Sequence, residues 1–252
     1  MRRLSCISCI SALLTGTAVV SAAQQRGEVP RPNILWLTYE DTSPQFIGCY
    51  GDSLAKTPTM DRLAADGVRF TSAFSTGTVS SPSRFCLITG MTPATMGTGN
   101  HRSQYPIPDF VHGFPKYLRD AGYYTSNNYK TDYNNAREKE MIAESWDESS
   151  GKAGWWNRKP GQPFFAVFNS PHSHQSRTMT NPWNYYEKQV LQHLDSDRVT
   201  ATDAPFDMPD FYRDTSEMRR QMSRVYNSIS LTDQQFERIL ARLERQGLKD
   251  ST

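Results

Sequence analysis

Apolar runs of strand length alternate along this chain with stretches that repeat at helical spacing. Residues 33–38 (NILWLT) are a short apolar run, long enough for a buried strand. Residues 39–52 read as loop, opened by two acids and carrying Pro44, Gly48 and Gly51. Met60, Leu63 and Ala64 place a helix over 58–66, with Thr57 as the expected cap and Gly67 as the stop. Residues 68–74 (VRFTSAF) alternate like a strand, and residues 82–90 open on a proline that suits the first turn of a helix. A helix over 114–120 is ended by Gly122, and residues 123–129 and 164–169 are the next strand candidates. This alternation predicts an α/β layer fold.

Residues 155–162 and 179–209 show no period and read as irregular and insertion-like. The tail is clearer. Asp214 with Glu217 makes a start resembling a capping box. Met218, Met222, Val225, Ile229, Phe236, Ile239 and Leu243 then follow on one face, with Thr232 as the polar gap and Gly247 as the stop. In an alternating α/β chain a strand is expected after such a helix, yet the sequence stops at Thr252, so the domain is expected to be incomplete. No internal repeat is present.

The N-terminus adds a compartment. Arg2 and Arg3 precede a mostly apolar, uncharged run over 4–20, and Ser21, Ala22 and Ala23 offer a cleavage site. Residues 1–23 therefore read as a secretory signal peptide and 24–31 as a polar linker, which predicts a periplasmic or secreted protein. A membrane anchor is the rival reading, but the run is diluted by Ser5, Ser8, Ser11 and Thr15 and is shorter than a span needs. No stable membrane insertion is expected once the leader is cut. The whole chain carries 28 Lys and Arg against 26 Asp and Glu, and loss of the leader's two arginines brings the balance to neutral. No basic excess exists to bind nucleic acid. The leader also takes Cys6 and Cys9, leaving Cys49 and Cys86, enough for one bond but not for a disulfide framework.

Four strand ends carry candidate chemistry. Glu40 and Asp41 follow the first strand, and two adjacent carboxylates repel unless a cation sits between them. Oxygen ligands suit a hard ion such as Ca²⁺ or Mg²⁺; the plain alternative is two solvated acids in a turn. Ser80 stands at the start of a helix, where backbone N–H groups favour an anion, and Arg84 lies one turn on; Ser80 as a simple helix cap is the alternative. Lys130 follows the strand over 123–129, and His172 and His174 follow the strand over 164–169. A cation and basic groups around one anion are what sulfuryl or phosphoryl transfer requires.

With these residues in place, the sequence resembles the sulfatases of the alkaline-phosphatase superfamily. The resemblance is carried by RPNILWLTYED (31–41), GCYGD (48–52), TPTMDRLAADGVRFTSAF (57–74), SSPSRFCLITG (80–90), AGYYTSNNYK (121–130), PFFAVFNSPHSH (163–174) and the tail over 233–252. Ser80, Pro82, Ser83, Arg84, Thr89 and Gly90 match the family signature, and Ile88 stands where Leu or Met is usual. Within the family, the Glu-Asp pair looks closest to the heparan N-sulfatase-like bacterial group. The resemblance implies a three-layer α/β/α sandwich with a mostly parallel central sheet, of which residues 32–252 would be the N-terminal part. It implies cleavage of a sulfate ester or sulfamate on a sulfated glycan or small sulfate ester.

The resemblance further implies that Ser80 is converted to formylglycine (3-oxoalanine) by a maturation enzyme of the Ser type. An unmodified serine would be left as a stable sulfate ester, whereas a hydrated aldehyde keeps a second hydroxyl that can expel sulfate. Ca²⁺, with Mg²⁺ as the lesser candidate, would be held by Glu40, Asp41 and the modified Ser80. Arg84 and Lys130 would steady the sulfate and the nucleophile, and either His172 or His174 would contact the sulfate or protonate the leaving group. Two departures stand out. Asp132 occupies a place where many sulfatases carry a histidine, with His101 as a possible substitute. The family's remaining metal ligands and a second sulfate-binding lysine would lie beyond Thr252. Two alternatives stay open: a phosphate-ester hydrolase of the same superfamily using an unmodified Ser80, and an inactive truncated remnant.

Overall fold

The computed structural model describes residues 31–252; the leader and residues 24–30 of the linker lie outside the described residues. Four parallel strands form the sheet: β1 (Ile34–Thr38), β2 (Tyr124–Asn128), β3 (Glu148–Ser150) and β4 (Phe164–Asn169), in the order β1-β4-β2-β3. The helices are α1 (Pro58–Asp66), α2 (Ser80–Thr89), α3 (Pro93–Met96), α4 (Phe114–Asp120), α5 (Glu138–Ser145), α6 (Gln175–Thr178), α7 (Trp183–Gln189) and α8 (Ser216–Arg245). Among the described residues no helix is long and apolar enough to cross a membrane.

β4 sits inside the sheet, and all six of its residues are buried. Its side chains alternate between two cores, as the two-residue period of a strand requires. Phe165 and Val167 pack with Phe85, Ile88, Met141 and Trp146, so α2 and α5 cover one face, joined there by Phe114 and Leu118 of α4. Phe164, Ala166 and Phe168 pack with Trp155, Ile239 and Leu243, so α8 covers the other. β1 divides the same way, with Ile34 and Trp36 against the first core and Leu35 and Leu37 against the second. Helices on both faces of a parallel sheet make the three-layer α/β/α arrangement. Phe165 anchors it. Its ring meets Trp36 edge-on at 5.3 Å and stacks on Trp146 at 5.6 Å; such pairs add about 0.5–1.5 kcal/mol each beyond the area they bury.

Several sequence expectations are corrected. Residues 68–74 form no strand; they run as coil and bends with Val68 81%, Phe70 71% and Phe74 89% exposed. Alternation alone does not make a strand when no neighbouring strand takes up the backbone hydrogen bonds. α2 begins at Ser80, not Pro82, with Val79 as a cap that offers no side-chain bond. α8 is capped by Thr215, whose hydroxyl accepts from Met218 N, while Asp214 pairs with Arg219. Thr57 occupies the N-cap position of α1, but its side chain makes no capping bond. The segment over 179–209 contains α7, whose Tyr186 is fully buried against Leu231 of α8. Cys49 and Cys86 are separate free thiols.

The cap of α1 comes from elsewhere in the chain. Asp233 of α8 is fully buried and accepts from Thr59 N at 3.0 Å, Met60 N at 2.9 Å and Arg198 Nη1 at 2.9 Å. A carboxylate on a helix N-terminus meets orphan N–H groups and the positive end of the dipole. This one side chain ties α1, the turn at Ser196–Arg198 and α8 together. Asp233→Ala is expected to cost about 3–5 kcal/mol, since it leaves a half of a buried pair and two helix N–H groups unmet. Urea unfolding of the two proteins measures it, and a loss below about 1 kcal/mol would contradict the role.

Candidate active site

Because every strand pair is parallel, the carboxyl ends of β1, β2 and β4 open on one edge of the sheet, the usual place for ligands in open α/β folds. Glu40 and Asp41 follow β1, Lys130 follows β2, and the 170–174 loop follows β4. Ser80 arrives at the same edge on the first turn of α2.

Lys130 links them. Its Nζ donates to Ser80 Oγ at 2.8 Å and to Glu40 Oε2 at 2.9 Å. The Ser80 hydroxyl is therefore engaged by an ammonium and does not act as a helix cap. Glu40 is only 7% exposed. A buried carboxylate needs cations and hydrogen bonds to remain charged, and here Lys130 supplies one while Arg84 Nη1 stands 3.7 Å from Oε1. Ser173 Oγ fixes the Glu40 backbone on both sides, accepting from its N at 3.1 Å and donating to its O at 2.5 Å.

Arg84 turns most of its donors to the backbone beside Lys130. Its Nε donates to Thr131 O at 2.6 Å, and its Nη2 to Lys130 O at 2.7 Å and Asn169 Oδ1 at 3.2 Å. Most of the fork is thus spent holding the 130–131 turn that presents Lys130. Asn169, which the sequence reading missed, is the hub of this support. Its Oδ1 also accepts from Thr38 Oγ1 at 2.8 Å, and its Nδ2 donates to Asn127 Oδ1 at 3.1 Å, joining the ends of β1, β4 and β2. Asparagines ending buried strands are unfavourable there unless they bond, and that was the available signal.

The two histidines separate. His172 turns toward α8, where its Nε2 lies 2.8 Å from the amide nitrogen of Gln235. That amide donates, so Nδ1 carries the ring proton, and it is buried without a partner among the described residues. Burial, aided by the positive charge of Arg177, lowers the His172 pKa from 6.5 to about 4. His174 stays near the acids, with Nε2 3.9 Å from Asp41 Oδ2. Its Nδ1 accepts from Ser176 N at 3.2 Å as the cap of α6. His101 lies on the site's flank, its Nδ1 3.0 Å from the hydroxyl of Ser81, and Asp132 lines the cleft beside Lys130.

Glu40, Asp41 and His174 place one ligand atom each within 4.8 Å of one another. Glu40 Oε1 is buried with no hydrogen-bond partner among the described residues, and Arg84 Nη1 stands 3.7 Å from it. Asp41 is held at φ 41°, a left-handed backbone that costs an aspartate about 1–3 kcal/mol and is tolerated mainly at functional sites. In His174 the Nδ1 accepts a backbone N–H, so the neutral ring carries its proton on Nε2, the atom facing Asp41. The lone pairs offered are thus carboxylate oxygens, and the donor set fits part of a shell for a hard divalent cation.

Two clefts meet at Glu40 and Asn169. The first, of about 520 Å³, is lined by Glu40, Asp41, Ser80 and Arg84 together with Trp36 and Phe165. The second, of about 500 Å³, is lined by Lys130, Asp132, His174, Arg102 and Arg177.

The family model for sulfatases matches residues 32–252. The chain belongs to the sulfatase family. It is similar to an ulvan-active sulfatase of Formosa agariphila, 33% identical over 88% of this chain and 42% of that protein. It is also similar to an N-acetylglucosamine-6-O-sulfatase of Bacteroides thetaiotaomicron, 37% identical over 46% of this chain and 21% of that protein. The chain therefore spans less than half the length of these curated relatives. Among solved structures, a Bacteroides fragilis protein assigned to the sulfatases superposes with a TM-score of 0.60 at 23% identity, covering 91% of this chain and 62% of that one. A protein solved with D-glucosamine-2-N,6-O-disulfate superposes with a TM-score of 0.57 at 20% identity, covering 88% and 64%. These two show the shared alkaline-phosphatase-like fold.

The buried His172 makes a pH prediction. The unfolded chain takes up a proton near pH 6.5, whereas the folded ring resists until about 4. Between these values the unfolded state binds more protons, so stability falls as pH drops through the window. His172→Asn is expected to remove this part of the acid sensitivity. Urea unfolding at pH 7 and pH 4.5 checks it; an equal acid loss in both proteins would contradict it.

Proposed function

We propose that the full protein hydrolyses a sulfate ester or sulfamate on a sulfated glycan, with Ser80 matured to formylglycine. The supporting observation is the chain Ser80 Oγ–Lys130 Nζ–Glu40, built at the edge of the sheet where Asp41 also lies. The similarity to sulfatases named for ulvan and for N-acetylglucosamine-6-O-sulfate favours a glycan substrate. The leader-like residues 1–23 favour a periplasmic or extracellular site of action.

In this reading Glu40 and Asp41, with the side chain at position 80, hold a divalent cation, Ca²⁺ by preference, through oxygen atoms. When bound, it supplies positive charge beside the transferring sulfuryl group. Formylglycine at position 80 would supply, as its hydrate, one hydroxyl to take the sulfuryl group as the S–O or S–N bond to the glycan breaks and the glycan leaves with a proton, and a second hydroxyl whose deprotonation would expel sulfate and restore the aldehyde. The chain's own residues do the rest. Lys130, 2.8 Å from the position-80 oxygen, puts a fixed ammonium where negative charge gathers. Arg84 and Asn169 hold the turn that carries it. Glu40 pairs with that ammonium and orients it.

Mass spectrometry of the Ser80 peptide from active full-length protein is expected to show the loss of two hydrogens. Lys130→Met is expected to lower kcat for sulfate release by about 10²–10³. Active protein with an unmodified Ser80, or phosphatase turnover without sulfate release, would overturn the reading.

A further inference from the structure

The second cleft carries a feature that sulfate transfer alone does not need. Arg102 sits at φ 54° on an exposed turn, a left-handed backbone that glycine or asparagine would adopt at lower cost. Two buried polar residues pin that turn. Ser81 Oγ accepts from Arg102 N at 2.9 Å and is hydrogen-bonded to His101 Nδ1 at 3.0 Å. Asn134 Nδ2 donates to Asn100 O at 3.0 Å and Thr98 O at 2.5 Å, and its Oδ1 accepts from Ser103 N at 2.6 Å. Four hydrogen bonds thus hold the backbone around a guanidinium that has no ion pair among the described residues.

The neighbours make the cleft a recognition surface. Arg177 also lines it, fixed by Nη1 bonds to Tyr185 Oη at 2.9 Å and Gln189 Oε1 at 2.7 Å. Both partners are neutral, so the geometry is set and the charge is kept. Of the acids lining the cleft, Glu40 is matched by Lys130, and Glu138 Oε1 accepts from Tyr133 N at 2.8 Å. Asp132 remains as an acceptor suited to sugar hydroxyls, and the half-exposed ring of Tyr129 suits a sugar face. Tyr129 and Asp132 share the left-handed backbone of Arg102, at φ 79° and 58°.

We propose that this cleft holds a subsite for a second anionic group, a carboxylate or a further sulfate ester, on the glycan whose scissile sulfate lies against Ser80 and Lys130. Arg102 is its main recognising residue and Arg177 a second. The inference rests on the sulfatase reading and names the substrate class for it. A planar guanidinium fixed at its backbone pairs in bidentate fashion with either oxyanion.

The test is calorimetric titration of the full-length protein carrying Ser80→Ala, with three disaccharides that share one sulfate. One has a neutral neighbouring sugar, one a uronate there, and one a second sulfate. At least one anionic ligand is expected to bind about tenfold or more tighter than the neutral one. Arg102→Asn, which suits the left-handed backbone and keeps the N–H to Ser81, is expected to bring that ligand to within about twofold of the neutral one. Arg102→Lys is expected to keep part of the preference. The uronate and sulfate arms say which anion is read. No preference among the three, or an equal loss for the neutral ligand in Arg102→Asn, would overturn the subsite. Failure of the sulfatase reading shows separately, as no sulfate release from any of the three by the protein with Ser80 intact, while the binding contrast is read without turnover.

Discussion

One carboxylate organises the candidate active site. Glu40 is buried at the end of the edge strand β1, and an ionised group there is costly unless cations meet it. Lys130 meets one oxygen directly, and Arg84 stands near the other. Everything close by serves to keep these charges together. Ser173 grips the Glu40 backbone, Arg84 grips the turn that carries Lys130, and Asn169 joins three strand ends. The nucleophile candidate, Ser80, enters this network through the same ammonium.

The sheet explains why residues 40, 130 and 169 converge although they lie far apart in sequence. Parallel strands send every carboxyl end to one edge, so the loops after β1, β2 and β4 become neighbours. The two aromatic cores on either face of β4 hold those ends in register. Positional accuracy at the site then comes from the strands, while recognition can fall to the pinned turns around Arg102 and Asp132. Left-handed backbone at Asp41, Arg102, Tyr129 and Asp132 gathers around these two clefts, where strain is offset by the bonds that fix it.

Much of this was legible in the sequence, and the reasons are particular. The apolar runs NILWLT and FFAVFN are strands because both faces of each are covered. Glu40, Asp41 and Lys130 could be placed because each follows a strand that the apolar runs reveal, and Ser80 and Arg84 because a proline marks the helix that carries them. What was not legible depends on contacts between distant segments. Asp233 reads as one more polar residue of a helix, yet it caps α1. Residues 68–74 alternate like a strand, but alternation cannot say whether a partner strand exists. Arg84 has the type and spacing of an anion ligand, and only the structure shows its Nε and Nη2 also holding the backbone of Thr131 and Lys130. The order of two histidines two residues apart depends on which one α8 captures through Gln235.

The central claim is that the orphaned oxygen of Glu40, together with Asp41, faces a hard cation beside residue 80. The most direct test is a crystal structure of the full-length protein grown with Ca²⁺, read by anomalous scattering. The account predicts a calcium peak within about 2.3–2.6 Å of Glu40 Oε1 and an Asp41 carboxylate oxygen, with the side chain at position 80 in the same shell. A structure at millimolar Ca²⁺ with no peak there, or with the ion bound away from both acids, would contradict it.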